Sequence, residues 1–405
     1  MEEKNHITRW PYLLVGAISM LFAGIIYAWS ILKGPLSADF GWSAPALALN
    51  FTLTLCFFCI GGVLGSILTK KLSIRLALFA SAVLVLVGFG LVSFLTADAI
   101  LMLYIAYGGL CGTGIGMAYN IVISATSAWF PDKKGTCSGV LMMSFGISSL
   151  VLGKAASMMF GIEYIGWRRT YLILGVAIAA VLAIAAFLVR VPGAEVALPK
   201  PAQKKSAIES FTTRDYTTGE MLRRVTFWGF FLYCILTAAV GSTVISFAQD
   251  LAISAGAGVA LATTLVGVLS VSNGLGRIIC GIIFDILGRR RTMIIANLLA
   301  IAAPAILLIS IIRGSLFLCI VGLCVTGISY GCCPTITAAF IGAFYGTKSF
   351  PTNYSVANLM LIPTSFAATI ASAMQDSTGS YIAPFVMLLV FSVCALVVNL
   401  NIRKP

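Results

Sequence analysis

Charge is scarce in this chain. Of 405 residues only 10% are Asp, Glu, Lys or Arg, where a soluble globular protein carries about 25%. That shortage excludes an ordinary water-soluble enzyme, and it excludes disorder, which needs dense charge and few apolar residues. Acids are the rarer sign, 13 against 26 bases, and histidine occurs once, as His6 in the N-terminal tail. Paired carboxylates and histidine clusters are missing from the apolar parts of the sequence, so no enzyme activity, cofactor or metal is expected. No Gly-x-x-x-x-Gly-Lys-Ser/Thr loop is present, and nothing supports nucleotide hydrolysis.

What fills the sequence is apolar. Hydrophobic residues make up 60%, and they come in long runs. Crossing about 30 Å of hydrocarbon takes roughly 20 apolar residues in a helix. Twelve such runs span 11–32, 45–69, 75–96, 100–129, 136–160, 168–190, 226–249, 258–284, 292–312, 315–344, 351–374 and 380–402. The reading is an all-α membrane protein of 12 transmembrane helices in two six-helix pseudo-symmetric bundles, 1–190 and 226–405. A cytoplasmic linker, 191–225, joins them and contains Pro192, Pro199, Pro201, Lys204 and Lys205. The 11 cysteines fall inside or beside the runs, and Cys56-Phe57-Phe58-Cys59 reads as helix packing despite its redox-like spacing. Residues Met1 to Arg9 are polar and lead into a run long enough to span, so no secretory signal is evident.

The net charge of +13 would suit nucleic acid if the bases formed one patch. They sit instead in short loops. With the N-terminus inside, 20 of the 26 Lys and Arg fall in inner segments, and only Lys33, Lys154, Arg168, Arg169 and Arg313 fall outside. That asymmetry puts both termini in the cytoplasm of a cell-membrane protein and accounts for the charge without nucleic acid. The halves also repeat: Arg9 and Arg224, Leu72 and Leu287, Arg75 and Arg290, and Lys133 and Lys348 are each 215 residues apart. Six helices followed by six in the same orientation form a parallel repeat, with a ligand site expected at mid-depth between the halves.

One base escapes the loops. Arg277 lies eight residues before Asp285, about 12 Å along the eighth helix. A cation at that depth costs about 2.5–3.5 kcal/mol or more and takes a partner. Yet no Asp or Glu occupies the middle of any apolar run, Asp250 coming nearest. An anionic ligand is therefore expected to neutralise Arg277; a structural role satisfied by carbonyls or water is the alternative. Asn273 lies one turn away on the same face, and a guanidinium fork with an amide donor suits a planar carboxylate. Tyr119 and Asn120 in the fourth helix, Tyr330 in the tenth, Tyr27 in the first and Asn358 in the eleventh reach comparable depths. Gly108, Gly112 and Gly116 have the spacing of close helix packing. Pro304, Pro334 and Pro363 are expected to kink their helices, and Lys154 to snorkel.

The turn after the eighth helix reads Gly281-Ile-Ile-Phe-Asp285-Ile-Leu-Gly288-Arg289-Arg290. Gly281 is expected to let a neighbouring helix approach, Asp285 to bond a facing helix end, Gly288 to turn, and Arg289 and Arg290 to pin the loop. This resembles the GxxxDxxGRR signature of the major facilitator superfamily, which implies a cytoplasmic latch. The first-half copy has Lys70 where the acid would stand. Further segments resemble the oxalate–formate antiporter branch, which is related to the monocarboxylate transporters. They are Tyr27-Ala28-Trp29, the run Trp129-Phe130-Pro131-Asp132-Lys133-Lys134-Gly135 with Ser138-Gly139, Asn273 to Arg277, and Asn353-Tyr354. The resemblance implies substrate contact by Arg277, Asn273, Tyr119, Tyr27 and Tyr330.

Two departures bear on the substrate. A second base that an oxalate carrier would place in the eleventh helix stands here as Leu361, and aromatic positions around a small dianion are Thr326 and Asn358. One fixed positive charge matches one carboxylate better than two. The expectation is a monomeric, alternating-access carrier of lactate, pyruvate or formate, linked to protons. Exchange of the oxalate/formate type is the first alternative, and an anion channel or a non-transporting carboxylate sensor are alternatives of another class.

Overall fold

A computed structural model describes residues 9–130, 134–193, 215–346 and 349–402. Among them, 12 helices are long and apolar enough to cross a membrane. They are α1 Trp10–Phe40, α2 Ala44–Thr69, α3 Ile74–Ser93, α4 Ile100–Ser127, α5 Cys137–Phe160 and α6 Gly166–Leu188, then α7 Val225–Ser254, α8 Val259–Phe284, α9 Ile286–Arg313, α10 Leu316–Tyr345, α11 Thr352–Thr378 and α12 Ile382–Asn401. Local chemistry sets the ends. The Ser73 side chain accepts from the Leu76 N–H at 3.2 Å to cap α3, and Gly41, Gly314 and Gly379 close α1, α9 and α11 at φ of 66, 58 and 65°, a region where glycine carries no Cβ penalty.

Two boundaries differ from expectation. The sequence places the end of the first run at residue 32, before Lys33 and Gly34-Pro35, but α1 continues to Phe40 with Pro35 inside it. One proline removes one backbone bond, while Leu36 beyond it is fully buried, so the helix continues until Gly41. Lys33, expected in an outer loop, is consequently a buried helical residue at 8% exposure. At the other site, the loop expected across 285–291 shrinks to a single non-helical residue, Gly288, at φ 73° and ψ 175°. The arginines after it are good helix formers, and α9 runs on from them to Arg313.

Two compact units divide the chain, one of Met1–Trp42 with Leu53–Lys204, the other of Ser43–Thr52 with Lys205–Pro405. Each contains the same helix seam. In the first unit, a Cβ at Gly61, Gly112 or Gly116 would collide with the carbonyls of Thr113, Thr54 and Phe58, so α2 and α4 touch backbone to backbone. In the second, Gly276, Gly327 and Gly331 stand in the same relation to the carbonyls of Ile328, Leu269 and Asn273, joining α8 to α10. All six partners obey the 215-residue offset. The close approach expected of Gly281 belongs instead to Gly276: a Cβ at Gly281 would make only ordinary contact, 3.9 Å from Thr335.

Arginine and aromatic side chains tie the loop end of each unit. In the first, the rings of Tyr12 and Trp129 stack at 4.0 Å. Trp129 Nε1 donates to the Arg190 carbonyl at 2.6 Å, and Arg190 Nη2 donates to the Tyr12 hydroxyl at 2.7 Å. In the second, the Arg224 guanidinium lies 5.4 Å over Tyr216, whose N–H donates to the Tyr345 carbonyl at 3.0 Å. Of the Trp129 to Gly135 segment, residues 131–133 lie outside the described residues.

Candidate carboxylate-binding residues

In the second unit the α8–α10 seam places the candidate cation. Gly331 packs against the backbone of Asn273 and Arg277, and the Thr335 hydroxyl donates to the Arg277 carbonyl at 3.4 Å. Arg277 is half-buried. Its Nε donates to Asn273 Oδ1 at 3.4 Å, so the two side chains expected to act together are brought together. Asn273 is 1% exposed, and with its oxygen engaged by the guanidinium its Nδ2 is left buried with no hydrogen-bond partner among the described residues. A buried amide donor in that state is costly until an acceptor arrives. A permanent cation beside it makes an oxyanion the matching acceptor.

The other candidates of this unit take separate positions. Tyr330 is buried, its ring lying so close to Gly241 of α7 that a side chain there would collide with it. Asn358 is half-buried and ends the helical stretch Phe350–Asn358, which leads into α11; the helix resumes at Leu361. Thr326, fully buried, donates back to the Gly322 carbonyl at 2.7 Å.

In the first unit the position equivalent to Arg277 is Gly62, and most of the candidates there are aromatic. Gly24 lets α1 lie against the Phe145 backbone of α5, and a short tightened turn, Gly24–Ala28, then turns Tyr27 onto Phe145 edge-to-face at 5.2 Å. Tyr119 meets Phe145 and Phe58, each at 5.1 Å. Tyr27 and Tyr119 thus share one partner, Phe145. Asn120 lies elsewhere, its Oδ1 accepting from Ser66 and Ser124 at 3.3 Å each along the α2–α4 seam. Sequence reasoning missed Phe58 and Phe145. The repeat held the signal, since Phe58 occupies the position of Asn273, and Gly62 that of Arg277.

At the α8–α9 turn, Gly288 makes the tight bend expected of it. Arg289 is half-buried, its guanidinium 4.6 Å over Phe344 and 5.9 Å over Phe340 of α10, while Arg290 is exposed. The Asp285 side chain lies outside the described residues. In the first-half copy, Arg75 stacks 5.1 Å over Phe187.

Outside the spans, one phenol is perturbed. Burial, then the Asp250 carboxylate, pushes the hydroxyl of Tyr381, at the start of α12, above its ordinary range.

Comparison with known proteins gives a consistent kinship. The chain is 28% identical over 352 residues to the uncharacterized MFS-type transporter YhjX of Escherichia coli (strain K12), covering 86% of this chain and 84% of that protein. It is 26% identical over 352 residues to the oxalate:formate antiporter of Oxalobacter formigenes, covering 84% and 80%. Against monocarboxylate transporter 12 of Rattus norvegicus it is 24% identical over 354 residues, covering 82% and 72%. The fold matches the xylose transporter XylE from E. coli at a TM-score of 0.71 and 14% identity, covering 97% of this chain and 98% of that one. A nucleoside transporter NupG variant matches at 0.72 and 12%, covering 98% and 100%. Residues 12–368 match the Major Facilitator Superfamily itself. With twelve apolar helices in two repeated units, the chain belongs to the major facilitator superfamily and is a multi-pass membrane transporter of that family.

Proposed function

We propose that this transporter moves small monocarboxylate anions of the lactate, pyruvate or formate class by alternating access, each with a proton, across the cell membrane, with both termini cytoplasmic. The observation that carries the reading is the Arg277–Asn273 pair on α8. A permanent cation engages the amide oxygen and leaves the amide N–H groups as buried donors, an arrangement suited to the two oxygens of one carboxylate. Relatives named for oxalate, formate and monocarboxylates support the ligand class. Tyr119, Tyr27, Tyr330, Asn120 and Asn358 are proposed as further contacts along the substrate's path.

The test is counterflow in proteoliposomes with the purified full-length chain. Labelled lactate, pyruvate or formate is expected to accumulate transiently against the same unlabelled acid inside, and Arg277→Gln to abolish it. Wild-type rates in that variant would defeat the reading. A second reading, exchange of unlike carboxylates, is favoured by the oxalate:formate antiporter among the relatives. It requires flux to depend on a carboxylate on the opposite side.

A further inference from the structure

Beside the α8–α9 turn the second unit holds a cavity of about 260 Å³, lined by Arg289, Arg290, Asn399, Leu400 and Ile402. Its chemistry is unlike that of the Arg277 pair. Two guanidiniums on consecutive residues share the lining with Asn399, which is 7% exposed and whose Nδ2 is buried with no hydrogen-bond partner among the described residues. Such a donor calls for an acceptor, and adjacent like charges call for an anion.

The geometry of Arg289 agrees. Its flat face rests on Phe344 and Phe340, and among the described residues Nη1 meets the Met293 thioether, at 3.8 Å, a weak acceptor. Stacking occupies the face of a guanidinium and leaves its in-plane N–H groups for an oxyanion. The rest of the lining is aliphatic, with Leu400 53% exposed. The cavity also lies at the ends of two spanning helices, α9 and α12, which is headgroup depth in a bilayer.

We propose that this cavity binds the phosphate of an anionic phospholipid, its oxygens accepting from Arg289, Arg290 and Asn399 Nδ2 while the glycerol and the start of the acyl chains lie along Leu400 and Ile402. Free phosphate shares the anionic chemistry but would make no use of the aliphatic rim. Basic pockets between helix ends are a recognised setting for headgroups.

The test is the thermal stability of the purified, delipidated full-length chain in dodecyl maltoside, titrated with dioleoyl phosphatidylglycerol, dioleoyl phosphatidylcholine or inorganic phosphate. Ligand that binds only the folded state raises the melting temperature. Phosphatidylglycerol is expected to raise it and phosphatidylcholine to leave it nearly unchanged. Arg290→Gln is expected to weaken the phosphatidylglycerol response about fivefold, the value of one surface cation near anionic lipid, and Asn399→Ala to weaken it in the same direction. Arg313→Gln, at the far end of α9, serves as the control for loss of general charge and is expected to respond as wild type. Equal responses to the two lipids, wild-type titration by both Arg290→Gln and Asn399→Ala, or equal protection by millimolar inorganic phosphate would each overturn the assignment. The readout is binding, so it stands or falls independently of carboxylate transport.

Discussion

At the scale of single residues the proposed site turns on one guanidinium, that of Arg277, inside the apolar helix α8. Arg277 has an orientation that Asn273 helps to fix, through one bond from Nε to Oδ1 of 3.4 Å. Two substitutions separate charge, geometry and fold. Arg277→Lys keeps the charge but loses the planar fork, and uptake is expected to fall on the order of 100-fold, matching the roughly 3 kcal/mol of a charge-assisted bidentate contact. Asn273→Asp supplies an internal carboxylate where the amide oxygen now accepts. The variant is expected to fold and melt at or above the wild-type temperature yet lose counterflow, because a carboxylate fixed at position 273 competes with the substrate carboxylate for the guanidinium. Retained transport in Asn273→Asp, measured beside its melting curve, would contradict a carboxylate site at this pair. Arg277 was legible in the sequence for a simple reason: a charge inside an apolar run stands out. Phe58 and Phe145 were not, because a phenylalanine in a membrane helix reads the same whether it faces lipid, a packing partner or a substrate path.

Helices meet at glycine, and at that scale the repeat is more faithful than any side-chain match suggests. Gly61, Gly112 and Gly116 pair with Gly276, Gly327 and Gly331 both in sequence offset and in the carbonyl each one touches. Backbone atoms cannot step aside as a flexible side chain does. Gly331→Ala is therefore expected to destabilise the purified protein by about 1–3 kcal/mol or more through overpacking, with Asn273 displaced and transport lost. Gly116→Ala should cost a similar amount in the first unit. Gly90 of α3 is the contrast: nothing lies within 4 Å of its missing Cβ. Gly90→Ala should be neutral or stabilising by up to about 1 kcal/mol, from helix propensity alone. Melting curves of the three variants in one detergent check the ordering. The glycine spacing of α4 was readable beforehand. The extension of α1 past Pro35 was not, since a lysine and a Gly-Pro pair normally punctuate a helix and only the burial around Leu36 keeps this one going. The α8–α9 turn was likewise narrower than a run of arginines suggests, because one glycine suffices to make it.

At the scale of the whole molecule, twelve apolar runs announced the architecture because span length leaves little choice, whereas coupling leaves no such imprint. The apolar runs hold no acid at mid-length, and the single histidine is His6, so no side chain of the usual proton carriers is available at depth. A proton moving with the substrate would therefore travel on the substrate itself or through water at Arg277, and one carboxylate with one proton transfers no net charge. Moving an unneutralised charge through a membrane potential is worth about 2.3 kcal/mol per 100 mV, which makes the distinction measurable. In proteoliposomes, acid outside is expected to accelerate uptake of a monocarboxylate, and a potassium-diffusion potential of either sign at constant pH to leave it unchanged. Exchange of singly charged acids would share the indifference to potential but would ignore the pH gradient and stop when the vesicle interior holds no carboxylate. Swapping a divalent for a monovalent acid would add a dependence on potential. The two gradients, applied separately with and without internal substrate, decide between these mechanisms, and uptake that ignores the proton gradient removes the symport reading while leaving the Arg277 pair intact.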